Sequence, residues 1–325
     1  MISELVNVCK GKENIVIWTH DYPDADAIAT SYSLQFLLKQ YGIDTVLTYV
    51  GSVNMLSSGK MVDAYKIEFS KPEDIPDDCN IICVDCQNLE GNVSIDKGNV
   101  FACIDHHKDT NKYEYEYKHI EAVGSCATLI ADEIFNINID MPISIATCLL
   151  WGIKMDTLNL TREVSAKDVD AFCKLYGKYD KNVMNHLENS NMELDDLKAF
   201  GQAINNIFVL ADMALSYVPF DCPDGLIALL AEFILGVSDL ELVVVFSLRK
   251  NGIKMSVRSI MPYLHAGDFA ERVVEGIGTG GGHAMFAGAF IPLDFFKSFE
   301  NEEAIGEYMK ELLLKKFGEA LYSGV

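Results

Sequence analysis

Basic residues are scarce in this sequence: 26 lysines and arginines stand against 48 aspartates and glutamates, which gives a formal net charge of −22. Proteins that bind long nucleic acids through their phosphates carry a run or stripe of basic side chains, and this sequence has no such run. We therefore expect no long duplex as a partner, because the field of the protein would repel a polyanion. A short phosphorylated ligand, held by metal ions and a few local cations, is compatible with this charge.

Long apolar runs are also lacking. The two longest cover residues 143–153 and 226–237, which is too short to span a bilayer, and the second contains Glu232. The first ten residues include Glu4 and have no sustained apolar stretch, unlike a signal peptide. We therefore expect a cytoplasmic protein with no membrane partner.

The composition is that of an ordinary globular protein, and 325 residues favour two domains. Among the nine cysteines, Cys83 and Cys86 have the spacing of a zinc or redox pair. No second pair accompanies them, and they lie in a strand pattern rather than at the start of a helix. We interpret them as thiols that flank a more important residue, Asp85.

Strand and helix patterns alternate in the first half of the chain. The predicted strands cover residues 14–19, 45–50, 80–84 and 99–104, and the predicted helices cover 27–41, 125–135, 142–154 and 166–175. This alternation predicts an α/β fold in which a parallel sheet carries helices on both faces. Ligands of such sheets collect beyond the carboxyl ends of the strands. Three polar segments directly follow predicted strands and should converge there: 20–26, Asp85 and 105–107.

The second half predicts a smaller α/β domain. A polar, helix-prone segment over 189–212 indicates a linker between a first domain over 1–188 and a second over 213–325. The predicted elements of the second domain are strands at 213–218, 226–230, 242–248, 253–257 and 287–291, a helix at 268–275 and a glycine-rich turn at 276–282.

His20, Asp24 and Asp26 lie on one loop that leads into a helix and is stiffened by Pro23. Such a loop can aim several ligands at one point, and two divalent metals about 3.5–4 Å apart need carboxylate and imidazole ligands with one bridging carboxylate. An alternative is that Asp24 or Asp26 caps the helix and the histidine is simply satisfied.

Asp105, His106 and His107 directly follow an apolar strand, which places the two imidazoles on opposite sides of a turn. One imidazole can bind a metal while the other faces a substrate, and burying all three groups without partners would be costly. Asp156 ends an apolar helix, where it opposes the helix dipole. A bound cation would offset that cost.

In the second half, Lys254, Ser256 and Arg258 alternate with apolar residues and share one face of a strand. That face either grips a substrate or is simply solvated. The backbone N–H groups of Gly280–Gly282 could cradle a phosphate beside His283, although a glycine triplet alone usually forms only a turn.

Together these segments resemble the DHH phosphoesterase superfamily. Residues 20–27 look like its first motif, Val84-Asp85 its second, 105–107 its third and 152–157 its fourth, in the family's order. The glycine triplet followed by His283 is similar to the signature of the associated C-terminal domain, DHHA1. The resemblance covers nearly the whole chain.

The resemblance implies two divalent metal ions, usually manganese, in an active site in the interdomain cleft; magnesium or cobalt could substitute. Hard carboxylate and imidazole ligands suit manganese or magnesium better than thiolate-selective metals. It implies that Asp85 bridges the metals, that His107 faces the scissile phosphate and that Asp105 orients the histidines, which makes these three the predicted catalytic residues. The remaining predicted metal ligands are His20, Asp24, Asp26, His106 and Asp156. The predicted substrate contacts are His107, Arg258, Ser259, Gly280, Gly281, Gly282 and His283.

Some positions differ from the family pattern and bear on the substrate. Ala29-Thr30 replaces a common Gly-Ser, residues 284–288 are bulkier than usual, and Lys154 replaces a small or hydroxyl residue. Lys154 would add charge near the metals or snorkel outward. We predict no catalytic role for three further histidines, His119, His186 and His265.

A compact chain with both domains resembles the nanoRNase/pAp phosphatase-like (RecJ-like) branch, whereas the pyrophosphatase branch is similar only in the first domain. This resemblance implies hydrolysis of short oligoribonucleotides, linear dinucleotides or 3′-phosphoadenosine 5′-phosphate, in which a hydroxide bridging the metals attacks phosphorus in line. Two alternatives are a polyphosphate or other phosphoanhydride hydrolase and a non-catalytic nucleotide sensor. The sequence is compatible with a homodimer.

Overall fold

The computed structural model describes residues 2–53, 56–189, 192 and 194–323. The chain divides into two compact units, Met1–Asn191 (unit 1) and Met192–Val325 (unit 2). Each unit has its own sheet and its own buried apolar clusters.

Unit 1 is built on a five-stranded sheet whose strands are all parallel. The strands are β1 (Ile15–Thr19), β2 (Val46–Thr48), β3 (Asn80–Val84), β4 (Asn99–Asp105) and β5 (Tyr117–Ile120). Their order across the sheet is β2-β1-β3-β4-β5. The predicted parallel sheet is confirmed, and its apolar central strands explain why the sequence reads as short buried runs rather than an alternating pattern.

The helices of unit 1 pack mainly on one face of this sheet. They are α1 (Ile2–Cys9), α2 (Ala25–Lys39), α3 (Leu56–Tyr65), α4 (Cys126–Ile137), α5 (Ile143–Asp156), α6 (Ala166–Leu175) and α7 (Lys181–Asn189). The opposite face, which includes Val16 and Trp18, packs against loop side chains such as Ile75, Val93 and Tyr115. Loop side chains therefore take part in covering this face.

Unit 2 is built on a mixed six-stranded sheet of order β10-β11-β9-β8-β7-β6. Its elements are α8 (Asp196–Asn205), β6 (Phe208–Leu210), β7 (Met213–Val218), α9 (Asp224–Leu235), β8 (Leu242–Arg249), β9 (Gly252–Ser259), α10 (Ala266–Val274), β10 (Thr279–Gly282), β11 (Phe286–Pro292) and α11 (Glu302–Ser323). Helices α10 and α11 cover one face, and α8 and α9 cover the other.

Two predictions for unit 2 are wrong. Residues 226–230, predicted as a strand, lie within helix α9, whose buried side chains recur at helical spacing, as at Leu226, Leu230 and Ile234. A short apolar run does not distinguish a buried strand from a buried helix. The predicted turn at 276–282 ends in strand β10, which pairs with β11.

Within the described part of the chain, every helix is too short or too polar to cross a lipid bilayer.

Candidate active site

The carboxyl ends of β1, β3 and β4 meet at one edge of the unit 1 sheet, because these strands are direct neighbours. His20 follows β1, Asp85 follows β3, and Asp105 ends β4. Asp156, the last residue of α5, reaches the same point. The expected convergence of the three polar segments is therefore confirmed, and the end of α5 joins them.

The side chains form three overlapping triads, in each of which the ligand atoms lie within 4.8 Å of one another. The triads are His20–Asp24–Asp85, Asp26–His106–Asp156 and Asp85–His106–His107. All six residues that the family resemblance implies as metal ligands are among them. The arrangement can hold a metal ion in more than one place.

Asp85 links the triads through its two carboxylate oxygens. Its Oδ2 lies 3.8 Å from His20 Nε2, and its Oδ1 lies 3.4 Å from His106 Nε2. The residue is only 3% exposed, has a left-handed φ of 57° and leaves Oδ1 buried without a hydrogen bond. A buried carboxylate oxygen without a donor is costly, and a bound cation would satisfy it.

Backbone carbonyls orient the two imidazoles of this centre. The His20 Nδ1 atom lies 2.9 Å from the Asp21 carbonyl, and the His106 Nδ1 atom lies 3.0 Å from the Val123 carbonyl. Both contacts leave the Nε2 atom directed toward carboxylates. This is the arrangement by which proteins fix the tautomer and direction of a metal-binding histidine.

Asp24 has the capping role that the sequence left open. Its Oδ1 accepts hydrogen bonds from the N–H groups of Asp26 and Ala27, at 2.9 and 3.1 Å, and so caps helix α2. The same oxygen lies 3.9 Å from His20 Nε2. Capping and a place in the triad are therefore compatible.

Asp26 is held by the N-terminus of α4. Its carboxylate accepts hydrogen bonds from the N–H groups of Cys126 (2.6 Å) and Ala127 (2.8 Å) and from the Thr30 hydroxyl (3.3 Å). The helix dipole of α4 adds to this stabilisation of negative charge. Thr30, one of the departures from the family pattern, thus supports a residue of the centre.

Gly152 allows α5 to approach this carboxylate. A Cβ atom at Gly152 would lie 3.1 Å from Asp26 Oδ1 and 3.1 Å from the Cβ atoms of Ala29 and Ala127. The glycine therefore sets the spacing between α5 and helices α2 and α4.

Asp105 orients the residues that follow it. Its Oδ1 accepts from the His106 N–H at 2.9 Å and lies 2.9 Å from His107 Nδ1, and its Oδ2 accepts from Gln87 at 2.7 Å. Burial opposes ionisation, but the contacts with His107 and Gln87 lower the pKa of Asp105 below its ordinary value. Gln87, which the sequence did not single out, also donates to the Lys108 carbonyl and thereby ties two loops together.

Burial and crowding shift the pKa values of the central groups in ways that a cation would reverse. Burial opposes a charged imidazole, but Asp24 and Asp85 outweigh it and raise the pKa of His20 to about 10. Burial, with the charges of Asp24 and Asp85, raises the pKa of Asp156 to about 7. Burial and neighbouring carboxylates also raise the pKa of Asp26 well above its ordinary value. Such concentrated negative charge is typical of a divalent cation site.

Arg162 is a neighbour of the centre that sequence reasoning missed. The chain leaves α5 through three successive left-handed residues, Leu158, Asn159 and Leu160. This turn brings the Arg162 guanidinium back to the Asp156 carbonyl, with Nη2 at 2.7 Å and Nε at 3.2 Å. Arg162 thus anchors the end of α5. The only indication of this role in the sequence is that Arg162 lies close to Asp156 along the chain.

The remaining open positions are not members of the triads. Lys154 pairs with Glu188 of α7, which agrees with the outward of its two predicted orientations. His119 Nε2 lies 3.7 Å from Glu121, His186 lies in α7, and His265 caps α10 by accepting from the Asp268 N–H.

In unit 2, helix α9 covers the polar face of β9. Lys254 Nζ lies 3.1 Å from Asp224, and Arg258 Nε lies 2.5 Å from Glu232. The face that was predicted to grip substrate or to be solvated is therefore paired with acidic residues of α9. Ser259 is 1% exposed, and its hydroxyl donates to the Leu264 carbonyl, so its position does not support the predicted contact with substrate.

The glycine triplet allows strand β10 to pack closely against helix α10 and strand β11. A Cβ atom at Gly280 would lie 2.9 Å from the Ala270 carbonyl oxygen of α10, and one at Gly282 would lie 2.5 Å from Ala287 of β11. His283 follows in the hairpin, with its ring centroid 4.5 Å from that of Phe286. The Arg258 guanidinium lies 5.8 Å from the same Phe286 ring, so Arg258 and His283 flank one aromatic side chain.

Two family models match this chain. Residues 14–153 match the N-terminal domain of the DHH family, and residues 211–313 match the DHHA1 domain. The chain belongs to the DHH family. The first match contains the triad residues up to His107, and the second contains Arg258 and His283.

Relatives of this DHH protein extend beyond its length. An uncharacterized protein of Methanocaldococcus jannaschii is 28% identical over 313 residues, covering 95% of this chain and 64% of the relative. A probable manganese-dependent inorganic pyrophosphatase of Streptococcus pyogenes is 28% identical over 160 residues, covering 45% of this chain and 49% of the relative. The chain thus spans about half to two thirds of the length of these curated relatives.

A solved structure has the same fold as this chain. An exopolyphosphatase-related protein from Bacteroides fragilis aligns with a TM-score of 0.74 and 18% identity, covering 98% of this chain and 97% of that one. At this identity the likeness shows the shared fold of the two units.

Proposed function

We propose that this DHH protein is a metal-dependent phosphoesterase that hydrolyses short oligoribonucleotides, linear dinucleotides or 3′-phosphoadenosine 5′-phosphate. The observation that carries the proposal is the position of Asp85, which directs one oxygen to each of two histidines and keeps Oδ1 buried without a hydrogen bond. Because the two oxygens face different histidines, one carboxylate could serve two neighbouring metal positions, as a two-metal site requires.

In this proposal the chain holds two divalent ions, most favourably manganese. His20, Asp24 and Asp85 would bind one ion, and Asp85, Asp26, His106 and Asp156 the other. Carboxylate and imidazole donors suit manganese, and a relative that matches 45% of this chain is a probable manganese-dependent inorganic pyrophosphatase. The chemistry that the ions supply is neutralisation of phosphate charge and acidification of a water molecule.

Among the side chains of the protein, His107 is the proposed proton donor of the reaction. Burial opposes its charged form, but the contact between Nδ1 and Asp105 raises the pKa of His107 above its ordinary value. A protonated His107 stabilises negative charge on a phosphate oxygen and can donate a proton to the departing oxygen. Asp105 holds the ring in position, as does the aspartate in other carboxylate–histidine pairs.

Substrate binding by unit 2 is the second part of the proposal. Arg258 and His283 both lie against the ring of Phe286, and this group would offer aromatic surface to a nucleotide. Gly280–Gly282 would contribute backbone N–H groups. Ser259 supports the loop over 259–264 rather than contacting the ligand.

A substrate panel tests the function. The full chain with manganese is incubated separately with 3′-phosphoadenosine 5′-phosphate, linear and cyclic dinucleotides, RNA of two to five nucleotides, pyrophosphate and polyphosphate. We expect mononucleotide from the short RNAs or phosphate from the bisphosphate. Activity only on pyrophosphate or polyphosphate would instead assign the phosphoanhydride alternative. If Asp85→Ala loses hydrolysis but still binds the nucleotide, the alternative of a non-catalytic nucleotide sensor is excluded.

A further inference from the structure

Tyr22 is an exposed aromatic residue at the rim of the metal centre. It lies between His20 and Asp24 on the loop after β1 and is 56% exposed. Consecutive Cα atoms are about 3.8 Å apart, so its Cα lies at most about 7.6 Å from those of both residues. Its φ of 56° is left-handed, an uncommon conformation for a bulky side chain.

The loop that carries Tyr22 is fixed from both sides. The Tyr22 N–H donates to the Val50 carbonyl at 2.9 Å, and the Asp21 N–H donates to the Asn92 carbonyl at 2.7 Å. The Asp21 carboxylate also accepts from the Ser94 N–H and hydroxyl, at 2.9 and 2.6 Å. The ring is therefore presented by a segment that is tied to the loops following β2 and β3.

The ring of Tyr22 rests against the backbone of Gly51. A Cβ atom at Gly51 would lie 2.6 Å from the Cδ1 and Cε1 atoms of the ring, and Gly51 has a left-handed φ of 94°. Only glycine allows this approach. One side of the aromatic ring is thus supported by protein, while more than half of the residue faces solvent.

We propose that Tyr22 is a specificity-determining residue whose ring stacks on a nucleobase of the substrate. The inference rests on the proposed function and deepens it: a nucleotide whose phosphate lies at the Asp85 centre has a base within reach of this rim. Stacking on an aromatic ring tolerates any base, since every base has a π-face. A pyrophosphate or polyphosphate has no ring that could use this surface.

A second apolar side chain lies on the neighbouring loop. Leu89 follows β3, is 63% exposed and also has a left-handed φ, of 68°. The loop over 89–94 is the one to which Asp21 is bonded. Single exposed apolar residues are common on protein surfaces, so Leu89 adds only a second exposed apolar side chain, on a loop that is bonded to the loop of Tyr22.

The test compares substrates with and without bases. A dinucleotide and an analogue with the same sugar-phosphate backbone but no bases are assayed with wild type, Tyr22→Phe, Tyr22→Ala and the matched control Tyr41→Ala, an exposed tyrosine beyond α2. We expect the ratio of kcat/KM for dinucleotide over abasic analogue to fall about tenfold in Tyr22→Ala, mainly through KM. Tyr22→Phe and Tyr41→Ala should keep the wild-type ratio.

A second variant moves the ring without removing it. Gly51→Ala places a methyl group where Tyr22 now lies, so it should lower the same ratio while circular dichroism confirms folding. An unchanged ratio in Tyr22→Ala, with wild type cleaving the dinucleotide, would overturn the inference and leave the proposed function standing. Failure of wild type to cleave any nucleotide ester would overturn the proposed function, and the inference with it.

Discussion

The Nε2 atom of His106 lies 3.2 Å from Oδ2 of Asp156. His106 directly follows β4 and Asp156 ends α5, so the contact joins the edge of the sheet to the end of a helix. A carboxylate at a helix C-terminus opposes the helix dipole, and burial raises its pKa further. Both effects oppose the charged form of Asp156 until a cation binds, which makes metal binding the central expectation for this site.

Replacement of Asp85 should weaken the binding of both metals. In Asp85→Asn the amide keeps the size of the side chain but loses the charge and the second anionic oxygen that a bridge requires. We expect hydrolysis to fall roughly a thousandfold or more and manganese binding, measured by calorimetry, to weaken at both positions. Asp63→Asn, an exposed aspartate in α3, is the matched control and should behave as wild type. Two undiminished binding events in Asp85→Asn would contradict the bridge.

Gly152→Ala should loosen the contact between α5 and Asp26. The new methyl group would lie 3.1 Å from Asp26 Oδ1 and from two alanine Cβ atoms, so we expect a loss of about 1–3 kcal/mol in the free energy of unfolding. Manganese affinity should fall as well, because Asp26 must move. Urea denaturation and calorimetry measure the two effects.

Gly59→Ala is the matched control for this change. Gly59 also lies inside a helix, α3, but a Cβ atom there would meet nothing within 4 Å. Alanine should therefore stabilise the protein by up to about 1 kcal/mol. In the double variant Ala29→Gly/Gly152→Ala one of the three close contacts disappears, so we expect the loss of stability to be smaller than the sum of the losses in the two single variants. Equal effects of Gly152→Ala and Gly59→Ala would refute the packing explanation.

The sheet edge could be predicted from the sequence because each polar segment directly follows an apolar strand. His20, Asp85 and Asp105 lie where parallel strands end, and strand ends of one sheet must meet. The left-handed backbone at Asp85 and the return of Arg162 to Asp156 could not be predicted. Both depend on tertiary contacts rather than on local residue patterns.

The stability gained from manganese should increase with pH. The pKa of His20 is raised from 6.5 to about 10, so protonated His20 stabilises the metal-free fold. This contribution to the metal-free fold is fully present below pH 6.5 and is lost as pH rises through about 10. The raised pKa of Asp156 acts in the same direction: the stability that its protonated form gives the metal-free fold is lost between pH 3.8 and about pH 7. Metal binding requires both groups deprotonated.

Thermal melts with and without manganese test this linkage between about pH 6 and pH 8.5. We expect Tm without metal to fall across this range and the increase in Tm on adding manganese to grow. Calorimetry in two buffers of different ionisation enthalpy should also report proton release on binding. A manganese effect that is constant with pH, with no proton release, would show that the ligands are already deprotonated.

Arg162→Gln should weaken the metal position that contains Asp156. The guanidinium anchors the carbonyl of Asp156 through two nitrogen atoms, and loss of a residue that supports a metal ligand commonly reduces affinity about 10- to 100-fold. Arg162→Lys keeps the charge but not the forked contact, so we expect an intermediate effect. One manganese site should weaken while the other is retained. Equal weakening of both sites would argue against this specific role.

Unit 2 was harder to predict because its polar residues have partners far away in sequence. Arg258 alternates with apolar residues as a binding residue would, yet it pairs with Glu232 of α9. The sequence pattern predicts a strand over 226–230 where the structure has this helix, so the acidic face of α9 could not be predicted. The alternation in β9 shows which side chains share its polar face, but it does not indicate that helix α9 covers that face.

Mononucleotide release from a linear dinucleotide, measured as manganese is titrated into metal-free protein, tests the central claim most directly. The proposed two-metal centre predicts no release without metal, little after one equivalent and full activity only after the second. Activity that survives chelation, or that saturates at one equivalent of manganese, would contradict the two-metal centre. Hydrolysis of pyrophosphate without hydrolysis of the dinucleotide would contradict the proposed substrate.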